Sequence, residues 1–233
     1  VVSLCHVATH CGNKIEAEKI FNYVKDLFPE VICVLDACQS IGQVEVDVKK
    51  INCDVLVGSG RKYLRGPRGT GFIYINEKIR NKISPMILDM KNSEIIGDKI
   101  KIKKSNIFEN FEFSPSLQVG LSKALERVNE YGIYNIEQNI IRKSKYFRKK
   151  LEKFNQITFF ENLSTLTGIN TLKIKGLSSL KIYTYLLSKG ILCSISKYSS
   201  SLLYFKKLKV NDLIRISIHQ YNTYDDINYL VKC

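Results

Sequence analysis

Short runs made entirely of apolar residues constrain this chain more than any other feature. Residues 31–35 (Val, Ile, Cys, Val, Leu) are apolar throughout and end at Asp36. Residues 55–57, after Asp54, and residues 71–75 are further short apolar runs, and residues 1–7 open the chain as a strand candidate that also contains Ser3 and His6. A strand wetted on one face alternates apolar with polar residues, whereas a strand of a parallel sheet is covered on both faces and reads as a continuous run. After the first run, Ile20, Val24, Leu27 and Phe28 recur at helical spacing, and Pro29 stops the helix predicted over 15–28. The pattern predicts an α/β fold with a mainly parallel sheet between helices.

The later part of the chain reads differently. Residues 83–107 are Lys-rich without periodicity, which predicts a long surface excursion. A helix is predicted from Ser114 to Tyr131, broken by Gly132, and an amphipathic helix over 136–154. Strands are predicted at 157–160, 171–174, 191–195 and 213–218, with a helix at 178–188 that ends before Gly190. Thr223 stands three residues before Asp226, the spacing of a capping box that opens a last helix. This half reads as a separate α+β module, and no internal repeat is visible.

With 233 residues, of which 45% are apolar, the chain can bury a sizeable core, so disorder and a disulfide-stapled mini-fold are excluded. Its apolar runs fall far short of the ~20 residues of a membrane-spanning helix. No basic stretch followed by an apolar one opens the chain, so a cytoplasmic protein without a signal peptide is expected. The seven cysteines, at 5, 11, 33, 38, 53, 193 and 233, form no CxxC pair. They are expected to be small buried hydrophobes in a reducing compartment, with neither disulfides nor a metal site.

A net charge of +14 makes nucleic acid the first partner to weigh. The excess is lysine, 28 against 8 arginines, gathered at 99–104, 142–150 and 206–209. No nucleic-acid reading motif accompanies these clusters. Solvated lysines on helix faces and loops account for them, and nucleic acid is not an expected partner.

Candidate chemistry lies between Asp36 and Gly71. Asp36 sits at the carboxyl end of a buried strand, where ligands of open α/β sheets bind. Lys62 follows the next strand and a Ser59-Gly60 turn, and residues 66–71 (GPRGTG) form a rigid turn into another strand. That turn lacks the ending of a P-loop and opens no helix, so it gives little support to a nucleotide. An amine, a carboxylate and a donor-rich turn at strand ends suit pyridoxal 5'-phosphate (PLP), which takes an amine for a Schiff base, an anion at its pyridine nitrogen and donors for its phosphate. Pattern alone leaves PLP as one idea among several, because a surface lysine and a capping aspartate explain either residue singly.

Asp36-Ala37-Cys38-Gln39, followed by Ser59-Gly60-Arg61-Lys62 and the GPRGTGF turn, resembles the class V aminotransferase-fold enzymes, the family of cysteine desulfurases and carbon–sulfur lyases. The likeness extends to residues 6–12 (HVATHCG), 108–112 (FENFE) and 215–223 (RISIHQYNT), and so across essentially the whole chain. The resemblance implies the PLP cofactor, with Lys62 as Schiff-base lysine and proton shuttle. It assigns Asp36 to the pyridinium nitrogen, Gln39 to the phenolic oxygen, and Ser59 and Arg61 to the phosphate. Arg61 stands where many relatives have His. Arg215 would grip the substrate carboxylate, and Thr9 stands where desulfurases commonly have Asn beside the cofactor. His6, His10 and His219 are expected to be packed or surface histidines.

The same resemblance divides the chain into residues 1–128, part of a PLP-binding large domain, and residues 129–233, a smaller α+β domain. It implies a homodimer acting on a small amino acid, and a chain that corresponds to the rear part of a longer enzyme. Desulfurases carry a nucleophilic Cys on a loop of the small domain, where Ser199 stands here; Cys193 lies in a strand pattern. The expected reaction is therefore β-elimination at a carbon–sulfur bond without a catalytic Cys. Transamination, epimerisation and a non-catalytic basic paralogue remain the alternatives.

Overall fold

The structure is a computed structural model that describes residues 1–103 and 106–233. Strands β1 (Val2–Cys5), β2 (Cys33–Asp36) and β3 (Val55–Ser59) run parallel, and β4 (Gly71–Ile75) pairs antiparallel with β3 in the order β1-β2-β3-β4. Helix α1 (Ala17–Leu27) covers this sheet through Ala17 and the fully buried Phe21, which pack with Cys33, Leu35 and Leu56. Its last turn is fastened at the amino ends of β2 and β3: Lys25 Nζ donates to Asp54 Oδ2 at 2.6 Å and to the Val31 carbonyl at 2.7 Å. The short helix α2 (Val48–Ile51) precedes β3 and is capped by Asp47, which accepts from the Lys49 and Lys50 amides.

After β4 come α3 (Glu77–Arg80) and a hairpin of β5 (Ser93–Ile96) and β6 (Lys99–Ile102). The expected surface excursion is thus partly structured. Lys99-Ile100-Lys101-Ile102 alternates at the period of a strand, but over only four residues, and Ile95, Ile96, Ile100 and Ile102 are all exposed. Lys104 and Ser105 of that Lys-rich stretch lie outside the described residues.

Helix α4 (Pro115–Tyr131) ends at Gly132, whose φ of 75° is left-handed, and α5 (Ile133–Leu151) follows at once. The second sheet holds β7 (Ile157–Phe159), β8 (Ile169–Ile174), β9 (Ser194–Lys197) and β10 (Asp212–Ser217), all antiparallel in the order β7-β8-β10-β9. Its helices are α6 (Ser179–Ser188), α7 (Leu202–Leu208) and α8 (Tyr224–Lys232). Phe147, Leu172, Leu186, Ile214 and Ile227 form its core. The capping box at Thr223 and Asp226 is present, each side chain accepting from the other residue's amide.

One strand lies later than its apolar run. Residues 191–193 were expected in the strand, but pairing starts at Ser194. The Ile191 amide instead closes the end of α6 by donating to the Leu186 carbonyl at 2.9 Å, which takes that residue out of the ladder. The cysteines also differ from expectation. All seven are free, yet only Cys33 and Cys53 are fully buried and the other five are half-buried.

The two sheets meet along a seam rather than a linker. Val7, Val44, Tyr63, Ile136, Ile140 and Ile169 form a third apolar cluster drawn from both parts. Thr167 Oγ1 donates to the Gly12 carbonyl at 2.7 Å, and Asn13 Oδ1 accepts from the Asn162 amide and Thr165 Oγ1. Gly168 lies so close to the seam that a Cβ there would sit 2.3 Å from the Ile218 carbonyl and 2.6 Å from Tyr63 Oη. No helix among the described residues is long and apolar enough to cross a membrane.

Candidate active site

The carboxyl ends of β1, β2 and β3 point to one side of the first sheet, and the loops that follow them carry the candidate residues. Asp36 is the last residue of β2, and its Oδ1 accepts from the Cys38 amide at 2.9 Å, tightening the turn that leads to Gln39. Gln39 is buried, and its Nε2 donates to Thr9 Oγ1 at 3.0 Å. Gln43 holds that loop from behind, its Nε2 donating to the Gln39 carbonyl at 2.6 Å. Ser59 ends β3. Beyond it the chain turns back on itself: the Gly66 amide donates to the Gly60 carbonyl at 2.7 Å, and the Arg65 amide to the Lys62 carbonyl at 2.9 Å. This closed turn presents Arg61 and Lys62.

The second sheet contributes Arg215 from β10. Its NH1 donates to the Thr9 carbonyl at 3.0 Å, bringing together residues 206 apart in sequence. Thr9, Gln39, Arg61, Lys62 and Arg215 line one cleft of about 530 Å³. Asp36 and Ser59 end the adjacent strands β2 and β3 and do not line the cleft. The Asp36 and Lys62 charges both reach the Cys38 thiol. Burial, with the Asp36 carboxylate, pushes that thiol up to about 11 against the opposing pull of Lys62.

The cleft is cationic and polar groups in it are unspent. Arg61, Lys62 and Asp36 form no ion pair among the described residues. Arg215 Nε and Tyr63 Oη are buried without a hydrogen-bond partner. Burial lowers the Arg215 pKa from its ordinary value and raises that of Tyr63. A buried guanidinium nitrogen with no acceptor is costly, and an anionic ligand would relieve it.

Sequence reasoning missed four residues of the lining: Tyr63, Arg65, Ser217 and His219. His219 was expected to be packed or exposed; it lines the cleft, and its Nε2 lies 2.9 Å from the Tyr63 carbonyl. A signal existed for Ser217, which shares one face of β10 with Arg215, and His219 follows two residues later, beyond the strand. His10 lies nearer the expectation, with Nδ1 3.4 Å from Ser196 Oγ and an imidazole pKa lowered first by burial and then by the Arg215 charge.

His6 is packed as expected, 5% exposed, with Nδ1 unpartnered. Burial, reinforced by the Lys14 charge, lowers its pKa from 6.5 to about 4. The folded chain keeps this imidazole neutral where the unfolded chain protonates. Its stabilising contribution is therefore complete above 6.5 and is lost as pH falls toward about 4. The expected loss is up to about 3 kcal/mol, read by urea unfolding across that window. His6→Asn should lack this component of the acid sensitivity; an identical pH profile in the variant would refute it.

The class-V aminotransferase profile matches residues 1–230. The chain belongs to the class-V aminotransferase family. A probable cysteine desulfurase of Borreliella burgdorferi is 31% identical over 209 residues, covering 86% of this chain and 49% of the relative. The apo structure of the cysteine desulfurase of Thermococcus onnurineus NA1 superposes with a TM-score of 0.89 at 27% identity, covering 99% of this chain and 58% of that one. A C-DES mutant with glycine covalently linked to its PLP cofactor shares the fold alone, with a TM-score of 0.84 at 20% identity over 99% of this chain and 59% of that one. The chain thus spans about half the length of the curated relatives it matches. The family fold is α/β with a mixed, mainly parallel first sheet, which is the architecture described above.

Ser199 lies exposed in the single helical turn Tyr198–Ser200 after β9. Cys193 packs against the second core beside α6, and burial raises its thiol pKa.

Proposed function

We propose that this chain holds PLP covalently through Lys62 and cleaves a carbon–sulfur bond of an amino acid by β-elimination. The observation that carries this reading is the single cleft in which Lys62 and Arg61 meet Arg215, whose buried Nε awaits an acceptor. The donor set suits the cofactor: an amine at Lys62, a carboxylate at Asp36 free of ion pairs, and cations and hydroxyls at Arg61, Ser59 and Thr9 for a phosphate and a phenolic oxygen. When bound, PLP supplies an electron-withdrawing pyridinium that stabilises negative charge at the substrate Cα.

Each residue then has a defined task. Asp36 keeps the ring nitrogen protonated. Gln39 spends one amide hydrogen on Thr9 and keeps its second for the phenolic oxygen. Arg215 spends NH1 on the Thr9 carbonyl, which fixes the guanidinium plane, and offers Nε and NH2 to the substrate carboxylate. Lys62 Nζ takes the proton from Cα and can return one to the departing sulfur. The cysteine desulfurase name belongs to the relatives. The exposed Ser199 and the packed Cys193 favour release of the sulfur over its transfer to a protein thiol.

The division into a cofactor domain over residues 1–128 and a small domain over 129–233 belongs to the same proposal. So does a homodimer, supported by the exposed apolar residues Met86, Ile87, Met90, Phe108 and Phe111 between α3 and α4 and by Val119 on α4 itself. Seven free cysteines favour the cytoplasm. The test is product analysis of the PLP-loaded chain with L-cysteine. Elimination gives pyruvate, ammonia and sulfide with uptake of one water; alanine in place of pyruvate would overturn the reading in favour of desulfuration.

A further inference from the structure

A second cationic pocket of about 580 Å³ adjoins the Lys62 cleft, between the closed turn after β3, helix α4 and the residues that follow β10. Tyr63 and Arg65 line both. The second pocket adds Lys123, Arg127 and Tyr221 to its wall, and no Asp or Glu lines either one. Lys123 is engaged by Glu126. Arg65 and Arg127 form no ion pair among the described residues.

The wall between the two pockets is built to hold its position. The rings of Tyr63 and His219 stack at 5.4 Å, those of His219 and Tyr221 at 4.8 Å, and the Arg65 guanidinium lies 4.8 Å from the Tyr221 centroid. Arg65 adopts a φ of 57°, a left-handed conformation that is costly for any residue with a Cβ. Its amide binds the Lys62 carbonyl, so the guanidinium is registered against the residue that would carry the cofactor. A strained, stacked arginine therefore stands on the rim shared by two pockets that no Asp or Glu lines.

We propose that the second pocket receives a distal carboxylate of the amino-acid substrate, held between Arg65 and Arg127, while Arg215 holds the α-carboxylate. This rests on the reading of the Lys62 cleft as an amino-acid site and specifies the substrate class as cysteine S-conjugates that bear a terminal carboxylate. Guanidinium groups match a carboxylate bidentately, which discriminates by charge and geometry together.

The experiment compares S-ethylcysteine with S-(3-carboxypropyl)cysteine as substrates of the PLP-loaded chain, with a parallel calorimetric titration of glutarate into the cofactor-free chain. The carboxylated conjugate is expected to be favoured in kcat/KM by at least about tenfold, the value of one charge-assisted contact. Arg127→Gln and Arg65→Asn (Asn tolerates the left-handed backbone) should bring that ratio toward one, and Arg127→Gln should weaken glutarate binding. Equal kcat/KM for the two conjugates, or a preference unchanged in Arg127→Gln, overturns the pocket while leaving the Lys62 reading intact. Failure to take up PLP overturns the Lys62 reading, and the glutarate titration then decides the pocket: heat that is absent, or the same in Arg127→Gln, ends it.

Discussion

Lys62→Ala is expected to abolish both covalent capture of PLP and turnover. With the wild-type chain, borohydride treatment should leave the cofactor attached to the peptide containing Lys62 after denaturation; the variant should carry no such label. Asp36, Arg61 and Thr9 are untouched by the change, so reversible cofactor uptake, followed by fluorescence, should persist at reduced affinity. Turnover should fall by at least ~10³-fold, because one amine supplies both the covalent anchor and the proton shuttle. The chain has 28 lysines, so the site of labelling is informative. A label at another lysine, or activity within tenfold of wild type, would remove Lys62 from the assignment.

The second large effect concerns stability. Arg148 on α5 is buried beside Glu161, with side chains 9% and 0% exposed. The guanidinium is fully used: Nε donates to Asn170 Oδ1 and NH1 to the Glu161 carbonyl, both at 2.9 Å, and NH2 to Glu161 Oε2. Glu161 Oε1 accepts from the amide and the hydroxyl of Thr171 on β8. Burial pushes the Glu161 carboxyl up to about 7 despite these donors. Arg148→Ala strands that carboxylate and Asn170 together and should cost about 3–5 kcal/mol, on the order of 10 °C in Tm. Replacing both members, as Arg148→Met with Glu161→Leu, should recover a good part of the loss, since two buried charges leave together. A single variant within about 1 kcal/mol of wild type, in urea unfolding, would show that the site hydrates on mutation and contradict its burial.

Much of the first sheet was legible because β2 and β3 are buried or half-buried at every position, so their burial writes itself as nearly continuous apolar sequence, whereas β1 carries the exposed Ser3. The hairpin of β5 and β6 has four exposed isoleucines and leaves no such trace. Helices α2, α3 and α7, of 4, 4 and 7 residues, are too short for helical periodicity to show. In the site, pattern singled out Asp36 and Lys62 by their places at and just past strand ends, and Gln39 came in only with the family resemblance; Gln39 and Lys62 line one cleft. The contact of Arg215 with the Thr9 carbonyl depends on how two sheets abut, which no local pattern encodes. The same holds for the ladder of Tyr63, His219, Tyr221 and Arg65, whose members come from two distant segments.

The seam has a further meaning for how ligands come and go. The loop bearing Gln39 is bound to β8 through Gln43, whose Oε1 accepts from the Gly168 amide at 3.0 Å, and the loop bearing Thr9 is bound to β10 through Arg215. His219 ties the end of β10 to the Lys62 turn. Each half of the cleft therefore grips a strand or loop of the other, and the jaws cannot part without breaking these three hydrogen bonds. On the proposed reading, reactant and product exchange through the mouth of the cleft without its two sides parting. Much of the alignment entropy of binding is thereby met when the chain folds, before any ligand arrives.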